Sequence, residues 1–345
     1  MKTRITELFG IKHPIILAGM SYISTPAMVA AVSNAGGLGI LAAGDLSSEK
    51  LRAAINETRA LTSKPFGVNV SFILPGAVDR AKVVLEEQVP VLNYALGRVS
   101  DLIKAVHGYG GKIIATVAVE KHALRAEQDG SDALIVTGHE AAAHGGNITS
   151  LVLIPRITGL AKVPVIAAGG FCDGKGLAAA LVLGAEAISM GTRFATTKES
   201  PVHDYYKQAT IKATVEDTIF SDRFDGMPGR VLKTKAAEEW VKKRVSLAQS
   251  IRDSLIFKRE LKLSNWELIK GILNLKKAEK ASFLNLARLP VGMSTLRRAV
   301  ENGDEDGIYM CGQNVGSIED IPTCAELIER IVAEAESILA KKARV

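Results

Sequence analysis

The stretch at residues 163–194 reads VPVIAAGGFCDGKGLAAALVLGAEAISMGTRF and contains two short apolar runs separated by a helix-compatible segment. The first run ends in a Gly-Gly pair and the second in Met-Gly-Thr. Runs that are apolar on successive residues are typical of strands covered on both faces in a parallel sheet. The stretch therefore predicts a strand, a helix and a second parallel strand.

The same pattern begins near residue 14 and recurs along the first half of the chain. The eight predicted strands cover residues 14–20, 37–43, 66–72, 89–96, 112–118, 133–138, 164–170 and 187–194. Eight parallel strands in about 180 residues predict an α/β fold that closes as a (β/α)8 TIM barrel, with an open doubly wound sheet as the alternative.

After residue 194 the pattern changes to long charged helical segments with no clear strand. We therefore expect a ligand-binding barrel over residues 1–195, and a helical, basic subdomain on the substrate side over residues 196–310. A C-terminal segment over residues 311–345 ends in a helix with apolar positions at helical spacing, which we expect to pack back on the barrel.

Composition excludes several classes of protein. The chain has 345 residues, of which 47% are hydrophobic and 23% charged, so disorder and collagen are excluded. Its three cysteines show no CxxC spacing, which argues against a disulfide framework or a zinc site. The uncharged stretch from His13 to Gly44 is broken by prolines and glycines, so it fits a strand–helix–strand unit better than a membrane span. Without a signal-peptide pattern, we expect a cytoplasmic protein with no membrane partner.

Positive charge is concentrated in residues 236–300, which hold 14 Lys and Arg against 6 Asp and Glu. One interpretation is a set of solvated helix faces. The other is a basic rim that attracts NAD(P)H, a coenzyme A thioester or an acidic carrier protein. No nucleic-acid-binding motif is present, so we do not expect a nucleic-acid partner.

The ends of the last two predicted strands have the composition of a phosphate site. Ala168, Gly169 and Gly170 end the seventh strand, whereas Met190, Gly191 and Thr192 end the eighth. Glycines let backbone N–H groups approach an anion closely, and barrels often bind phosphate at these two positions. The alternative is that the glycines only make tight turns.

Two further strand ends carry candidate binding residues. The first strand ends in Ala18, Gly19 and Met20, where small residues would let a flat ring lie on the backbone. The third strand carries Asn69, whose amide could hydrogen-bond a polar heterocycle or equally join neighbouring strands.

The loop after the sixth strand, residues 138–146, reads GHEAAAHGG. His144 lies among small residues, and an ordinary histidine pKa suits proton transfer near neutral pH, so we predict it as a general acid or base. His139 and Glu140 are expected to orient the loop. A metal site is disfavoured because His139 and His144 are five residues apart and no other ligand lies nearby in sequence.

These motifs together resemble the flavin-dependent nitronate monooxygenase family, formerly the 2-nitropropane dioxygenases, which includes enoyl-acyl-carrier-protein reductase II. The resemblance rests on HPIILAGM, NAGGLGIL, KPFGVNVSF, the GHEAAAHGG loop, the stretch quoted first and GQNVGSIEDIPTCAELI. It implies that the barrel over residues 1–195 binds FMN, and it makes His144 the catalytic residue. The implied FMN-binding residues are Ala18, Gly19, Met20, Asn69, Gly138, Ala168, Gly169, Gly170, Met190, Gly191 and Thr192.

The chain also departs from the family pattern. Ala142 and Ala143 replace the two glycines that many members have before the histidine, and Asn147 stands where acidic residues follow it. The segment FDGMPGRVLKT at residues 224–234 resembles a branch of flavin oxidoreductases that act on coenzyme A thioesters in sterol ring breakdown. The IMP dehydrogenase class is disfavoured because no cysteine follows the sixth strand.

The leading hypothesis is oxidation of a nitronate by O2, with His144 taking a proton. The alternative is a reductase in which NAD(P)H, as co-substrate, reduces FMN for an enoyl thioester of coenzyme A or acyl-carrier protein, or for a quinone. A flavin oxidoreductase acting on coenzyme A thioesters in sterol degradation is a further option. The sequence leaves the oligomeric state open, a homodimer included.

Overall fold

The computed structural model describes residues 1–97, 99–142, 145–242, 246–262, 264 and 288–342. Eight parallel strands form one sheet: β1 (Ile15–Leu17), β2 (Gly39–Ala42), β3 (Phe66–Ser71), β4 (Val91–Ala95), β5 (Lys112–Val117), β6 (Ala133–Thr137), β7 (Val165–Ala168) and β8 (Ala187–Met190). Each strand from β2 to β7 pairs with the next, β8 pairs with β1, and a bridge from Ile16 to Leu38 links β1 to the start of β2. The predicted (β/α)8 barrel is confirmed, with all eight strands in the predicted runs.

Helices alternate with the strands and continue beyond them. They are α1 (Arg4–Phe9), α2 (Pro26–Asn34), α3 (Ser48–Leu61), α4 (Ala77–Glu86), α5 (Ser100–Gly108), α6 (Glu120–Gln128), α7 (Ser150–Thr158), α8 (Gly174–Val182), α9 (Thr192–Ala195), α10 (Asp204–Lys212), α11 (Lys235–Lys242), α12 (Leu247–Glu260), α13 (Leu289–Asn302) and α14 (Cys324–Lys342). A 3-10 turn spans Gln313–Ser317. Within the described ranges, no helix combines the length and apolarity needed to cross a bilayer.

Local sequence signals explain where several helices begin. Pro26 is the first residue of α2, a position at which its missing N–H costs nothing. The Ser47 hydroxyl accepts a hydrogen bond from the Lys50 N–H and caps α3. The Asp173 carboxylate accepts one from the Gly176 N–H at 2.7 Å and caps α8. These signals fix where α2, α3 and α8 begin after β1, β2 and β7.

The barrel interior is closed at its N-terminal end. Ile16, Ile40, Ile114 and Ile166 are fully buried inside the barrel, in one cluster with residues of α1. The larger cluster lies between the strands and the surrounding helices. Because α1 covers the N-terminal end, the open end for a ligand is the one formed by the loops that follow the strands.

The expectation that the chain after residue 194 contains no strand is wrong. An antiparallel hairpin, β9 (Thr218–Ser221) and β10 (Gly229–Leu232), lies where the sequence shows no clear strand pattern. Each strand has four residues, and β9 is only half-buried, so neither shows a long apolar run. Val231 packs with Phe224 and Trp240 in a small separate cluster, which stabilises the hairpin.

The last helix, α14, packs against α8 and α2. The contact with α8 is close, since a Cβ on Gly174 would come within 2.7 Å of the Ile331 carbonyl oxygen. The Gly174 N–H also donates to the Glu334 carboxylate at 2.8 Å. The division into barrel, substrate-side subdomain and C-terminal segment stays a prediction.

Candidate active site

Gly169 and Gly170 follow β7 in a backbone conformation that favours glycine. Their φ angles are +95° and +88°, in a region that other L-residues rarely adopt. A Cβ on Gly169 would lie 2.9 Å from the Gly138 carbonyl oxygen, so the end of β7 is pressed against the end of β6. The Gly138 N–H donates to the Ala168 carbonyl at 2.9 Å. Backbone conformation and close packing therefore explain why these two positions are glycine.

Gly191, which follows β8, differs from them. Its φ of −101° is open to any residue. Among the described atoms, a Cβ there would meet a single neighbour within 4 Å, the Met20 sulfur at 3.3 Å. Neither the backbone conformation nor the packing of the described residues requires glycine at this position. A side chain here would instead fill the open space in front of residue 191.

Four backbone N–H groups at these two strand ends lack an acceptor. Those of Gly169, Gly170, Gly191 and Thr192 make no hydrogen bond to another residue that the structure describes. Because β7 and β8 are neighbours in the sheet, the four groups lie at one end of the barrel. Unpaired N–H groups grouped in this way are suited to an anion, and we call these four residues the phosphate cup.

The turn after β1 lies next to the cup. The Ser24 hydroxyl donates to the Ala18 carbonyl at 2.7 Å and accepts from the Met20 N–H at 3.0 Å, which holds the turn. Ala18, Gly19 and Met20 are each partly exposed. The place of the Met20 sulfur beside Gly191 joins this turn to the end of β8.

Asn69 takes the strand-joining role that the sequence left open. Its side-chain amide donates to the Asn93 side-chain oxygen at 2.6 Å. Asn93 donates in turn to the Thr116 hydroxyl at 2.9 Å and to the Ile114 carbonyl at 3.1 Å. The polar row crosses β3, β4 and β5. Sequence reasoning missed Asn93 and Thr116, although both interrupt otherwise apolar runs.

Gly19 packs directly on Asn69, since a Cβ there would lie 2.4 Å from the Asn69 Cβ. The Asn69 side-chain oxygen accepts no hydrogen bond from any residue within the described ranges. Strand joining therefore uses only half of this amide, and its oxygen can still accept from a ligand.

Glu140 anchors the loop after β6. Its carboxylate accepts from the Ser150 N–H at 2.9 Å and from the Ser150 hydroxyl at 2.8 Å. The Ser150 hydroxyl also lies 2.7 Å from the Gly169 carbonyl oxygen. Glu140 thus ties the loop to the start of α7 and to the cup, in line with the orienting role expected for it.

His139 packs against the β9–β10 hairpin. Its ring makes an edge contact with the Phe220 ring, with centroids 4.5 Å apart, and its Nδ1 lies 3.1 Å from the Gly146 carbonyl oxygen. His144, the predicted acid or base, lies outside the described residues together with Ala143. Its role stays a prediction.

Arg230 is a site residue that sequence reasoning missed, although it lies within the quoted segment 224–234. It is 4% exposed. Its guanidinium donates to the His139 carbonyl at 3.2 Å and to the Thr218 hydroxyl at 3.1 Å, and it lies 5.2 Å from the centre of the Phe220 ring. Among the described residues its Nε has no hydrogen-bond partner, and no carboxylate forms an ion pair with it. Burial lowers the pKa of this guanidinium from its usual value.

Arg230 also holds the loop through its backbone, because its N–H donates to the Ala142 carbonyl at 2.8 Å. The segment from His139 to Ala142, which leads directly to His144 in sequence, is thus fixed at both ends by one residue of β10. The only signal in the sequence was the position of Arg230 in a motif, since burial of a charge cannot be read locally.

Several charges of the basic region pair with acidic residues on the surface. Lys262 contacts the Glu49 carboxylate at the start of α3, and Arg297 contacts Glu260 and Glu301. These contacts favour the solvated-face interpretation for the residues involved. Lys243 and Arg244 lie outside the described residues.

Cys172 follows the cup but is not placed as a nucleophile. All three cysteines are buried and unpaired. Burial raises the pKa of the Cys172 thiol to about 11, so it is protonated at neutral pH.

Comparisons with known proteins match this architecture. The family model described as nitronate monooxygenase matches residues 2–95 and 75–334. The (3aS,4S,5R,7aS)-5-hydroxy-7a-methyl-1-oxo-octahydro-1H-indene-4-carboxyl-CoA dehydrogenase of Rhodococcus jostii (strain RHA1) is 37% identical over 97% of this chain and 96% of its own length. A probable nitronate monooxygenase of Staphylococcus aureus (strain MSSA476) is 31% identical over 69% of this chain and 80% of its own. The solved structure of FabK from Thermotoga maritima covers 100% of both chains, with 37% identity and a TM-score of 0.82.

Proposed function

The chain belongs to the nitronate monooxygenase family of flavin oxidoreductases, and from that premise we propose that it is an FMN-dependent oxidoreductase whose substrate is a coenzyme A thioester. Family membership makes it an oxidoreductase. The choice of FMN and the substrate class are the proposal.

The phosphate cup carries the choice of FMN. Four N–H groups without an acceptor in the described part of the chain match the several acceptor oxygens of a phosphate monoester, and the space in front of Gly191 would accommodate it. A flavin without a phosphate would leave these donors unpaired. The small residues of the β1 turn and the unused oxygen of Asn69 provide a surface and an acceptor for a polar ring.

The relatives favour a thioester over the nitronate that led the sequence hypotheses. The Rhodococcus relative, named as a carboxyl-CoA dehydrogenase, matches nearly the whole chain, whereas the Staphylococcus relative matches about two thirds of it. The segment at residues 224–234, which resembles the thioester-acting branch, contains β10. Through Arg230, that strand contacts the loop leading to His144.

The residues of the site have different roles in the proposed reaction. The phosphate cup binds and orients the cofactor, and Glu140 and Arg230 hold the loop beside it. His144 would take or return the substrate proton, which a positioned histidine can do near neutral pH. When bound, FMN supplies the acceptor or donor for hydride at a substrate carbon.

Anaerobic spectroscopy tests the proposal on the purified protein loaded with FMN. The probes are a hydroxylated alicyclic carboxyl-CoA thioester, the same acid without coenzyme A, an alkyl nitronate, and NAD(P)H followed by an enoyl-CoA. Loss of flavin absorbance with the thioester, but not with the free acid, is the expected result. The His144→Ala variant is the control, and it should bleach much more slowly with the same thioester.

Each other outcome rejects a specific part of the proposal. Bleaching by the nitronate alone rejects the thioester and returns the chain to nitronate oxidation. Bleaching by NAD(P)H with reoxidation by the enoyl-CoA retains the thioester but makes the protein a reductase. A colourless protein that cannot be loaded with FMN rejects the cofactor.

A further inference from the structure

The GQNVGS motif at residues 312–317 has no role in the proposed function; Gly312 is followed by the 3-10 turn Gln313–Ser317. We infer that Gly312 is a positioning residue for FMN. Its N–H donates to the Thr192 hydroxyl oxygen and so orients that hydroxyl to donate its hydrogen to the phosphate. The inference rests on the proposed FMN site and extends it to a part of the chain 120 residues beyond the cup.

The contact between the two residues is direct. The Gly312 N–H donates to the Thr192 Oγ1 at 2.8 Å. Thr192 is 7% exposed, and its hydroxyl donates to no acceptor in the part of the chain that the structure describes. A hydroxyl that accepts one hydrogen bond and has a buried, unused hydrogen has donor capacity left for a ligand. Thr192 belongs to the phosphate cup, so a bound phosphate is the acceptor that fits.

Close packing explains why position 312 is glycine. A Cβ there would lie 2.7 Å from the Asn314 side-chain oxygen and 2.9 Å from the Glu140 carbonyl oxygen. It would also lie 3.5 Å from the Thr192 Oγ1. A side chain would therefore push the Gly312 N–H away from Thr192, or displace the loop after β6.

The segment around Gly312 is fixed by the loops of three strands. The Gln313 N–H donates to the Glu140 carbonyl at 2.8 Å, and the Asn314 amide donates to the Phe171 carbonyl at 3.2 Å. With the contact to Thr192, these bonds join the loops after β6, β7 and β8. Because Gly312 is held rigidly, the Thr192 hydroxyl that it orients loses little conformational freedom when it binds an anion. This favours tight binding.

The negative charge of the phosphate makes the loss of the Thr192 hydrogen bond large enough to measure as a change in FMN affinity. A hydrogen bond to a charged group contributes more than one between neutral groups, and its loss weakens binding by about 10- to 100-fold. The N–H bond from Gly312 also polarises the hydroxyl and strengthens it as a donor. Both residues should therefore influence the phosphate of the flavin and leave its ring unaffected.

The test compares FMN with riboflavin, which has the same ring and no phosphate. Dissociation constants are measured by flavin fluorescence quenching on apoprotein of wild type, Thr192→Val, Thr192→Ser, Gly312→Ala and the double variant that combines Thr192→Val with Gly312→Ala. Thr192→Val should weaken FMN binding about 10- to 100-fold and leave riboflavin binding unchanged. Thr192→Ser should bind FMN like wild type, and Gly312→Ala should weaken FMN only when Thr192 is present.

Three results with the variants would overturn the inference. Equal weakening of FMN and riboflavin would mean that the substitutions damage the fold, and thermal unfolding of each apoprotein would show the same loss. Unchanged FMN affinity in Thr192→Val would remove the hydroxyl from the site. Additive effects in the double variant would show that Gly312 does not act through Thr192. If wild type binds neither flavin, the proposed cofactor fails together with the inference.

Discussion

Alanine substitutions at two glycines of the cup should separate cofactor binding from folding. At Gly191 the φ of −101° suits alanine, and among described atoms the new methyl group would meet only the Met20 sulfur, at 3.3 Å. The free energy of unfolding of the apoprotein should then change by no more than about 0.5 kcal/mol. The methyl group would occupy the space proposed for phosphate, and overpacking typically costs about 1 to 3 kcal/mol. The Kd for FMN should rise roughly 10- to 100-fold.

At Gly169 the same substitution should instead destabilise the fold. The φ of +95° is unfavourable for alanine by about 1 to 2 kcal/mol. The new Cβ would also lie 2.9 Å and 3.0 Å from the backbone oxygen and nitrogen of Gly138, which cannot rotate away. Together these effects should cost about 2 to 5 kcal/mol and lower the Tm by roughly 3 to 7 °C for a chain of this length.

Thermal unfolding of the apoproteins and fluorescence titration with FMN measure the two effects. Gly108→Ala, at the end of α5, is the matched control because no described atom lies within 4 Å of its new Cβ. It should change neither quantity appreciably. Wild-type FMN affinity in Gly191→Ala would refute the phosphate cup, and a wild-type Tm in Gly169→Ala would refute the strain argument.

Three further substitutions test the predicted catalytic residue, the loop before it, and Asp45, a carboxyl after β2 that accepts a hydrogen bond from the Tyr22 N–H at 3.3 Å. His144→Ala should keep FMN bound and lower kcat by about 10²- to 10⁴-fold, and undiminished turnover in steady-state assays would reject His144 as the proton-transfer group. Burial raises the pKa of Asp45 to about 6. The folded state therefore binds this proton more tightly than the unfolded chain, in which the pKa is about 4. The resulting stability is present at low pH and is lost as the pH rises from about 4 to 6. Asp45→Asn should therefore gain up to about 3 kcal/mol over wild type at pH 8 and much less near pH 4 in denaturant unfolding, whereas a pH-independent difference would contradict the burial argument. Arg230→Met removes a buried charge that pairs with no described carboxylate, so the Tm should change little while kcat falls about tenfold as the loop from His139 to Ala142 loosens. A large loss of Tm with normal kcat would show a purely structural role.

The barrel could be predicted because its determinants are local. Strands covered on both faces must be apolar at successive positions, and each strand end needs glycine or a small residue where the chain turns toward the open end. Caps such as Ser47 and Asp173 act on residues three positions away, so they too are visible in a short window. The same locality made the glycines of the cup recognisable as a group.

Long-range contacts could not be predicted in this way. The hairpin strands are four residues each, and their pairing depends on a small cluster with α11 and α13. Arg230 is separated by 91 residues from the carbonyl it contacts in the β6 loop, and nothing near it in sequence marks it as buried. Asn69 and Asn93 show the same limit, because each is one polar residue in an apolar run until the register of β3 and β4 places them opposite each other.

The site therefore has two parts that carry different information about function. The cup binds through backbone N–H groups, so its glycines report on the cofactor and say little about the substrate. The second part consists of the contacting side chains of His139, Phe220 and Arg230, where the β9–β10 hairpin meets the loop of the predicted catalytic residue. Discrimination between a nitronate and a thioester needs side chains that favour one of them, and these three side chains lie next to that loop. If the proposal is correct, substitutions at these side chains will change which substrate reduces the flavin. Substitutions in the cup will change how tightly the flavin is held, or the stability of the fold, without changing which substrate reduces it.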